Sequence, residues 1–289
     1  MLLDTELRGL LAPRRPKPTA EKPRGGLRRP VAAVLFDIYG TLLISASGEI
    51  GPADAAVEAA PDADTSLDDW VRTLGYPPPA EGVRAALTAA IRAEHRTFKA
   101  KGIAFPEVII EKIWGRLYPE ANADQLRRLA LAYELKVNPV WPMPGLRRCL
   151  AAFKKSGRRL GIVSNAQFYT PLLMTHFLGL SLEAAGFSPD LCVYSYQIGQ
   201  AKPGARLFEA AKAGLARYNL APQEAVMVGN DRRNDIAAAR AAGFQTVLFA
   251  GDARSLRWRE SDPDWKRAQP DMVITELTQL SDHMVSLNR

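Results

Sequence analysis

Six short apolar runs set the rhythm of the chain. The first, VAAVLFD (31–37), is almost unbroken by polar residues and closes on a carboxylate. RLGIVSN (159–165), LCVYS (191–195), AVMVGND (225–231), TVLFA (246–250) and DMVIT (271–275) follow. Runs of this length, rich in β-branched residues and without alternation, predict strands buried on both faces. Between them apolar residues recur at helical spacing. That predicts helices over 145–156, 169–185, 204–217 and 233–242, with a last one after residue 275.

Residues 52–140 break this rhythm. They hold no convincing strand and predict helices near 66–75, 81–101, 106–118 and 123–136, punctuated by Gly and Pro. IRAEHRTFKAKG places Ile91, His95 and Phe98 on one helical face. His95, Arg96 and Lys99 read as solvated or packed, and Trp114 as interior of this block. WPMPG (141–145) is a stiff return to the first pattern.

Strands alternating with helices imply right-handed crossovers and an α/β fold, a doubly wound parallel sheet covered on both faces. Ligands bind such sheets at the carboxyl ends of strands. The polar residues there are Asp37, Ser164 with Asn165, and Asn230 with Asp231, while Lys202 lies in the loop after LCVYS. The organisation expected is a core of 30–46 and 142–289, a helical lid of 47–141 over the crevice, and a leading segment of 1–29.

Composition adds bounds. The 289 residues are 47% apolar and 24% charged, ordinary for a globular protein. No apolar run reaches the length of a membrane span. The start lacks the order of a secretory leader, and Cys149 and Cys192 sit in apolar segments as reduced core residues. The compartment expected is therefore cytoplasmic. Net charge is +7, and residues 1–30 hold eight Lys/Arg against three Asp/Glu. That charge lies in a Pro/Gly-rich stretch without hydrophobic period, which predicts a flexible or loosely docked tail rather than a nucleic-acid surface. A contact of this tail with an anionic partner is the alternative.

The strand-end residues carry a coherent chemistry. An aspartate is ionised at neutral pH and can attack to form an ester that water later opens. A hydroxyl and an ammonium can hold the transferring group, and further carboxylates can hold a hard cation such as Mg²⁺. Asp37, Ser164, Lys202 and the pair Asp231/Asp235 supply these parts.

In this order the motifs resemble those of the haloacid dehalogenase superfamily of hydrolases. FDIYGTLL is similar to its first motif, GIVSNA to the second, GQAKPGARLFEAA to the third and VMVGNDRRNDIAAARAAGF to the acidic fourth. The resemblance covers residues 31 to about 280 and implies a Rossmann-like core with an inserted helical cap after motif one. It implies Asp37 as nucleophile, with Ser164 and Lys202 beside it. Thr41, Ser164, Asn165 and Lys202 would hold substrate. It implies Mg²⁺ held by Asp37, the Tyr39 carbonyl and Asp231, with Asp235 behind them and Asn230 instead of, or beside, Asp231.

Tyr39 departs from the pattern. Phosphatases of the superfamily usually carry a second Asp there, which protonates the leaving oxygen and then activates water. Its 2-haloacid dehalogenases carry Tyr, because halide leaves without a proton. The retained acidic pair favours a Mg²⁺-dependent phosphatase of a small phosphorylated metabolite. Tyr39 keeps open dehalogenase-type chemistry and a low-activity binding or regulatory descendant.

Overall fold

The computed structural model describes residues 5–45, 62–261 and 268–286. Residues 47–61 of the expected lid lie outside them. The elements are α1 (Thr5–Gly9), β1 (Arg24–Gly25), β2 (Ala33–Phe36), β3 (Leu43–Ser45), α2 (Asp62–Thr73), α3 (Val83–Ala100), α4 (Ile110–Leu117) and α5 (Ala123–Val137). They continue with β4 (Val140–Pro142), α6 (Leu146–Lys155), β5 (Arg159–Ser164), α7 (Tyr169–Leu178), α8 (Leu182–Ala185), β6 (Phe187–Tyr194), α9 (Ser195–Ile198) and α10 (Arg206–Ala216). The last are β7 (Ala225–Gly229), a π-helical turn (Arg232–Ala237) running into α11 (Ala238–Ala241), β8 (Gln245–Phe249), β9 (Met272–Ile274) and α12 (Leu277–Ser286).

Seven strands form one sheet in the order β1-β9-β8-β7-β2-β5-β6. All neighbours are parallel except β1, which runs antiparallel to β9 at the edge. The pleat sends successive side chains of β2 to opposite faces. Val34 and Phe36 pack with α6, α7 and α12, whereas Ala33 and Leu35 pack with α10 and Ala239 of α11. Both faces are thus covered, which is why these strands read as continuous apolar runs.

The chain winds outward from β2 through β5 to β6, then restarts on the other side at β7. The reversal leaves a crevice at the carboxyl ends of β2, β5 and β7. Asp37 follows β2 directly.

The helices α2 to α5 fold between β3 and β4, which form a two-stranded antiparallel ribbon. Ser45 donates to Asn138 across its cap end (2.8 Å), and Met143 N–H donates to the Leu42 carbonyl (2.9 Å) at its core end. Inside the cap Trp114 is fully buried, with Tyr118 stacked near it and Tyr133 meeting it edge-on. Arg96 and Lys99 are exposed and His95 is half-buried.

The predicted helix over 106–118 starts at Ile110, because the stretch before it docks on the core. That over 169–185 is broken at Gly179, which takes a left-handed conformation (φ 73°).

The leading segment is tied to the core rather than loose. Leu7 is buried, and Arg24–Gly25 extends the sheet. Lys17 N–H donates to Asp252 (3.0 Å), and Thr19 Oγ1 to the Ala250 carbonyl (2.6 Å). Glu21 accepts from Trp258 Nε1 (2.8 Å), while the Arg24 guanidinium lies over the Trp258 ring. Residues 11–19 are neither helix nor strand and carry no apolar period, so their pattern matches that of a free tail. Among the described residues no helix is long and apolar enough to cross a membrane.

Candidate active site

Asp37 is held where β2 ends, its N–H bonded to the Val228 carbonyl of β7 (2.9 Å). The turn after it needs Gly40, at φ +84°, where a Cβ would come within 2.5 Å of Ser255 Cβ. Thr41 is fully buried and donates to Asn230 Oδ1 (3.0 Å). Asn230 in turn donates to the Ser255 carbonyl (2.6 Å). Thr41 and Asn230 therefore bind the loops together.

From β5, Ser164 Oγ donates to Asp37 Oδ1 (2.9 Å). From the loop after α9, the Lys202 ammonium donates to the same oxygen (2.7 Å), to Asp235 Oδ1 (2.5 Å) and to the Val163 carbonyl (3.0 Å). Burial works against this charge, but Asp235 and then Asp37 more than offset it and raise the Lys202 pKa. Asn165 does not simply face outward. It accepts from Lys202 N–H (2.7 Å) and so fixes the backbone that carries the ammonium.

Asp235 lies against Gly229, where a Cβ would come within 2.2 Å of its carboxyl carbon. A larger residue would displace the carboxylate from Lys202. Asp235 Oδ2 accepts Asp231 N–H (2.9 Å). Burial raises the Asp235 pKa, and Asp37 and Asp231 raise it further against the pull of Lys202.

Asp231 is placed differently from the sequence expectation. Its Oδ1 accepts Arg233 N–H (2.8 Å) and Asn234 N–H (3.0 Å), and its Oδ2 lies 2.5 Å from the Arg259 guanidinium. Its charge is met by a helical N-terminus and an arginine. Both of its oxygens are thus engaged by groups of the chain, while its N–H stays bonded to Asp235. Asp231 stands at the N-cap of the π-helical turn over Arg232–Ala237.

Tyr39 is nearly fully buried. Its hydroxyl lies 2.9 Å from Thr170 Oγ1. Burial, and then Glu134 nearby, raise its pKa well above the ordinary tyrosine value.

The family model for haloacid dehalogenase-like hydrolase matches residues 31–243. The chain belongs to this family.

Curated relatives of this hydrolase are phosphatases. The chain is 31% identical over 186 residues to the glyceraldehyde 3-phosphate phosphatase of Pyrococcus furiosus, covering 58% of this chain and 70% of the relative. It is 27% identical over 258 residues to the phosphoglycolate phosphatase of Nitrosococcus oceani, covering 86% and 94%. Among solved structures, a 2-haloacid dehalogenase from Pseudomonas syringae pv. Tomato aligns with a TM-score of 0.55 at 22% identity, covering 89% of this chain and 99% of that one. That likeness is one of fold.

The family implies Mg²⁺, and no cluster of three or more His, Cys, Asp or Glu suited to a metal occurs among the described residues. The donor chemistry still fits a hard cation. Asp37 and Asp235 are two buried carboxylates sharing one ammonium, and all nearby donors are oxygens.

The sequence reading missed Arg259, which pairs with Asp231, and Gln167, which donates to the Val108 carbonyl and accepts Ile110 N–H. Arg259 lies outside every motif and no local signal points to it. Gln167 sits two residues after Asn165, which is a usable hint.

Proposed function

We propose that this hydrolase is a phosphatase of a small phosphorylated metabolite, acting through an aspartyl phosphate on Asp37. The observation that carries the reading is the sharing of the Lys202 ammonium by Asp37 and Asp235. The two carboxylates exceed the one buried cation, and a phosphoryl group arriving there needs further positive charge. Mg²⁺ held by Asp37, Asp235 and the Tyr39 carbonyl would supply it by neutralising phosphoryl oxygens. Ser164 and Lys202 hold Asp37 Oδ1, which leaves Oδ2 to attack phosphorus as the ester oxygen departs. Water then opens the acyl phosphate and regenerates the carboxylate. Curated relatives named for small phosphorylated substrates, glyceraldehyde 3-phosphate and phosphoglycolate among them, support the substrate class.

Tyr39 supports a second reading, hydrolysis of a 2-halo acid. A phenol held neutral cannot activate water, and Asp231 adds no carboxylate to the centre. The two readings separate in one assay. A panel of phosphorylated metabolites and an aryl phosphate is assayed with Mg²⁺, beside 2-halo acids without metal. Phosphate release that is lost in Asp37→Asn is expected. Halide release without phosphate release would overturn the proposal.

A further inference from the structure

Beyond the ribbon of β3 and β4, the cap meets the core through a dense set of bonds at residues 104–110. Ala201 N–H donates to the Phe105 carbonyl (2.7 Å), and Glu107 N–H to that of Gly199 (3.2 Å). Gln200 Nε2 donates to the Ala104 carbonyl (2.9 Å). Gln167, 2% exposed, donates to the Val108 carbonyl (3.0 Å) and accepts Ile110 N–H (3.1 Å).

Glu107 is the side chain from the cap that completes this seat. Its Oε1 accepts Val108 N–H (2.9 Å) and Gln167 Nε2 (3.2 Å), and its Oε2 accepts the Ser195 hydroxyl (2.7 Å). With its proton given to Glu107, Ser195 Oγ presents a lone pair to Ala166 N–H (2.9 Å). Without that acceptor the hydroxyl could turn to the Ala166 carbonyl, 3.2 Å away. The carboxylate thereby sets which way Ser195 holds Ala166.

The two core stretches so gripped are those that carry the chemistry. Ala166 and Gln167 follow Ser164 and Asn165, and residues 199–201 lead into Lys202. Loops are the least self-supporting part of a fold. A misplacement of about 1 Å can cost about 10²-fold in rate. Resting on the phosphatase reading above, we propose that Glu107 is a positioning residue. Through Ser195 and Gln167 it makes seating of the cap and alignment of Ser164 and Lys202 a single event.

The test uses the full chain with Mg²⁺ and p-nitrophenyl phosphate. Variants are Glu107→Ala, Glu107→Gln, Ser195→Ala and the double Glu107→Ala/Ser195→Ala. Hydrogen exchange of peptides spanning 104–110 and 199–202 is followed without substrate. Glu107→Ala is expected to lower kcat by about tenfold or more, with KM changed far less. Glu107→Gln keeps an acceptor for Ser195 and should recover most of kcat. The double variant should be little worse than either single one, since both act through one bond. Exchange should quicken in both peptides.

A wild-type kcat in Glu107→Ala, a loss confined to KM, strictly additive losses, or unchanged exchange would each overturn the proposal. Absence of phosphate turnover in the wild type would instead overturn the phosphatase reading. The exchange measurement would still decide whether Glu107 seats the cap.

Discussion

The Asp231 carboxylate and the Arg259 guanidinium form a partly buried ion pair, with the oxygen 2.5 Å from the nitrogen. The same carboxylate caps the π-helical turn. Asp231→Ala is therefore expected to lower stability by about 1–3 kcal/mol, the range of a lost cap joined to a charge-assisted bond. Calorimetric affinity for Mg²⁺ should be unchanged, whereas Asp235→Asn should weaken it. Loss of Mg²⁺ binding in folded Asp231→Ala would return this residue to the metal.

Tyr39 fills space and bonds to Thr170. A phenol whose pKa is held well above the ordinary value by burial does not serve as a base at neutral pH. Tyr39→Phe should retain turnover within about threefold and lose about 0.5–1.5 kcal/mol, the worth of one hydrogen bond. Tyr39→Asp should be less stable than either, because it leaves a cavity and takes from the Thr170 hydroxyl its partner on β2's side, leaving only Gln167 N–H. Steady-state rates on alkyl and aryl phosphates, with thermal melts, check both. A Tyr39→Phe variant slowed a hundredfold would mean that the hydroxyl takes part in the reaction.

Much of this site could be read from the strand ends. Asp37, Ser164 and Lys202 converge because each follows an apolar run whose burial fixes its place in the sheet. The doubly wound core was legible for the same reason. The pairing of Asp231 with Arg259 was out of reach, because the arginine lies 28 residues further on and in no motif. How firmly the N-terminal segment docks was not legible, because polar bonds from Lys17 N–H to the Asp252 carboxylate and from the Thr19 hydroxyl to the Ala250 carbonyl leave no apolar period. Glu107 was missed because its partners, Gln167 and Ser195, are joined to it only by tertiary contact.

Glu134 gives a pH dependence. It lies on α5 of the cap, buried between Asn138 Nδ2 (2.8 Å) and the Tyr169 hydroxyl (3.0 Å), and burial pushes its pKa up to about 7. The unfolded chain titrates it near the ordinary glutamate value, so between the two the folded state binds the extra proton. The stabilisation is complete below about pH 4.5, fades as pH rises and is gone above about 7, a span of roughly 3 kcal/mol. Glu134→Gln should reduce the slope between about pH 5 and 7, leaving that of Glu107 and Asp235, and raise stability above it. Urea midpoints across this range test it. An unaltered slope would show that Glu134 is not the group responsible.

Removing residues 1–29 should impair the enzyme as well as loosen it. Burial of Leu7 and Leu27 alone is worth about 3–6 kcal/mol, and β1 is lost with them. The segment also braces the loop from Asp252 to Trp258. There Ser255 accepts from the Asn230 side chain and Arg257 N–H donates to the Asn230 carbonyl (3.0 Å). Lower melting temperature and reduced kcat together are expected. Full activity in the truncated chain would show that the brace is dispensable.

The central place of β2 has a consequence for the history of each molecule. Asp37 emerges early in synthesis, yet its hydroxyl partner Ser164 lies 127 residues later and its ammonium partner Lys202 lies 165 residues later. At about 5–20 residues per second, the ribosome takes many seconds to join them. Throughout that interval the aspartate has neither a donor to orient it nor a cation beside it. A nascent or proteolytically shortened chain ending before Lys202 is chemically silent, however much of its cap has formed. Order of synthesis thus withholds the Asp37–Lys202 pair until more than two thirds of the chain exists.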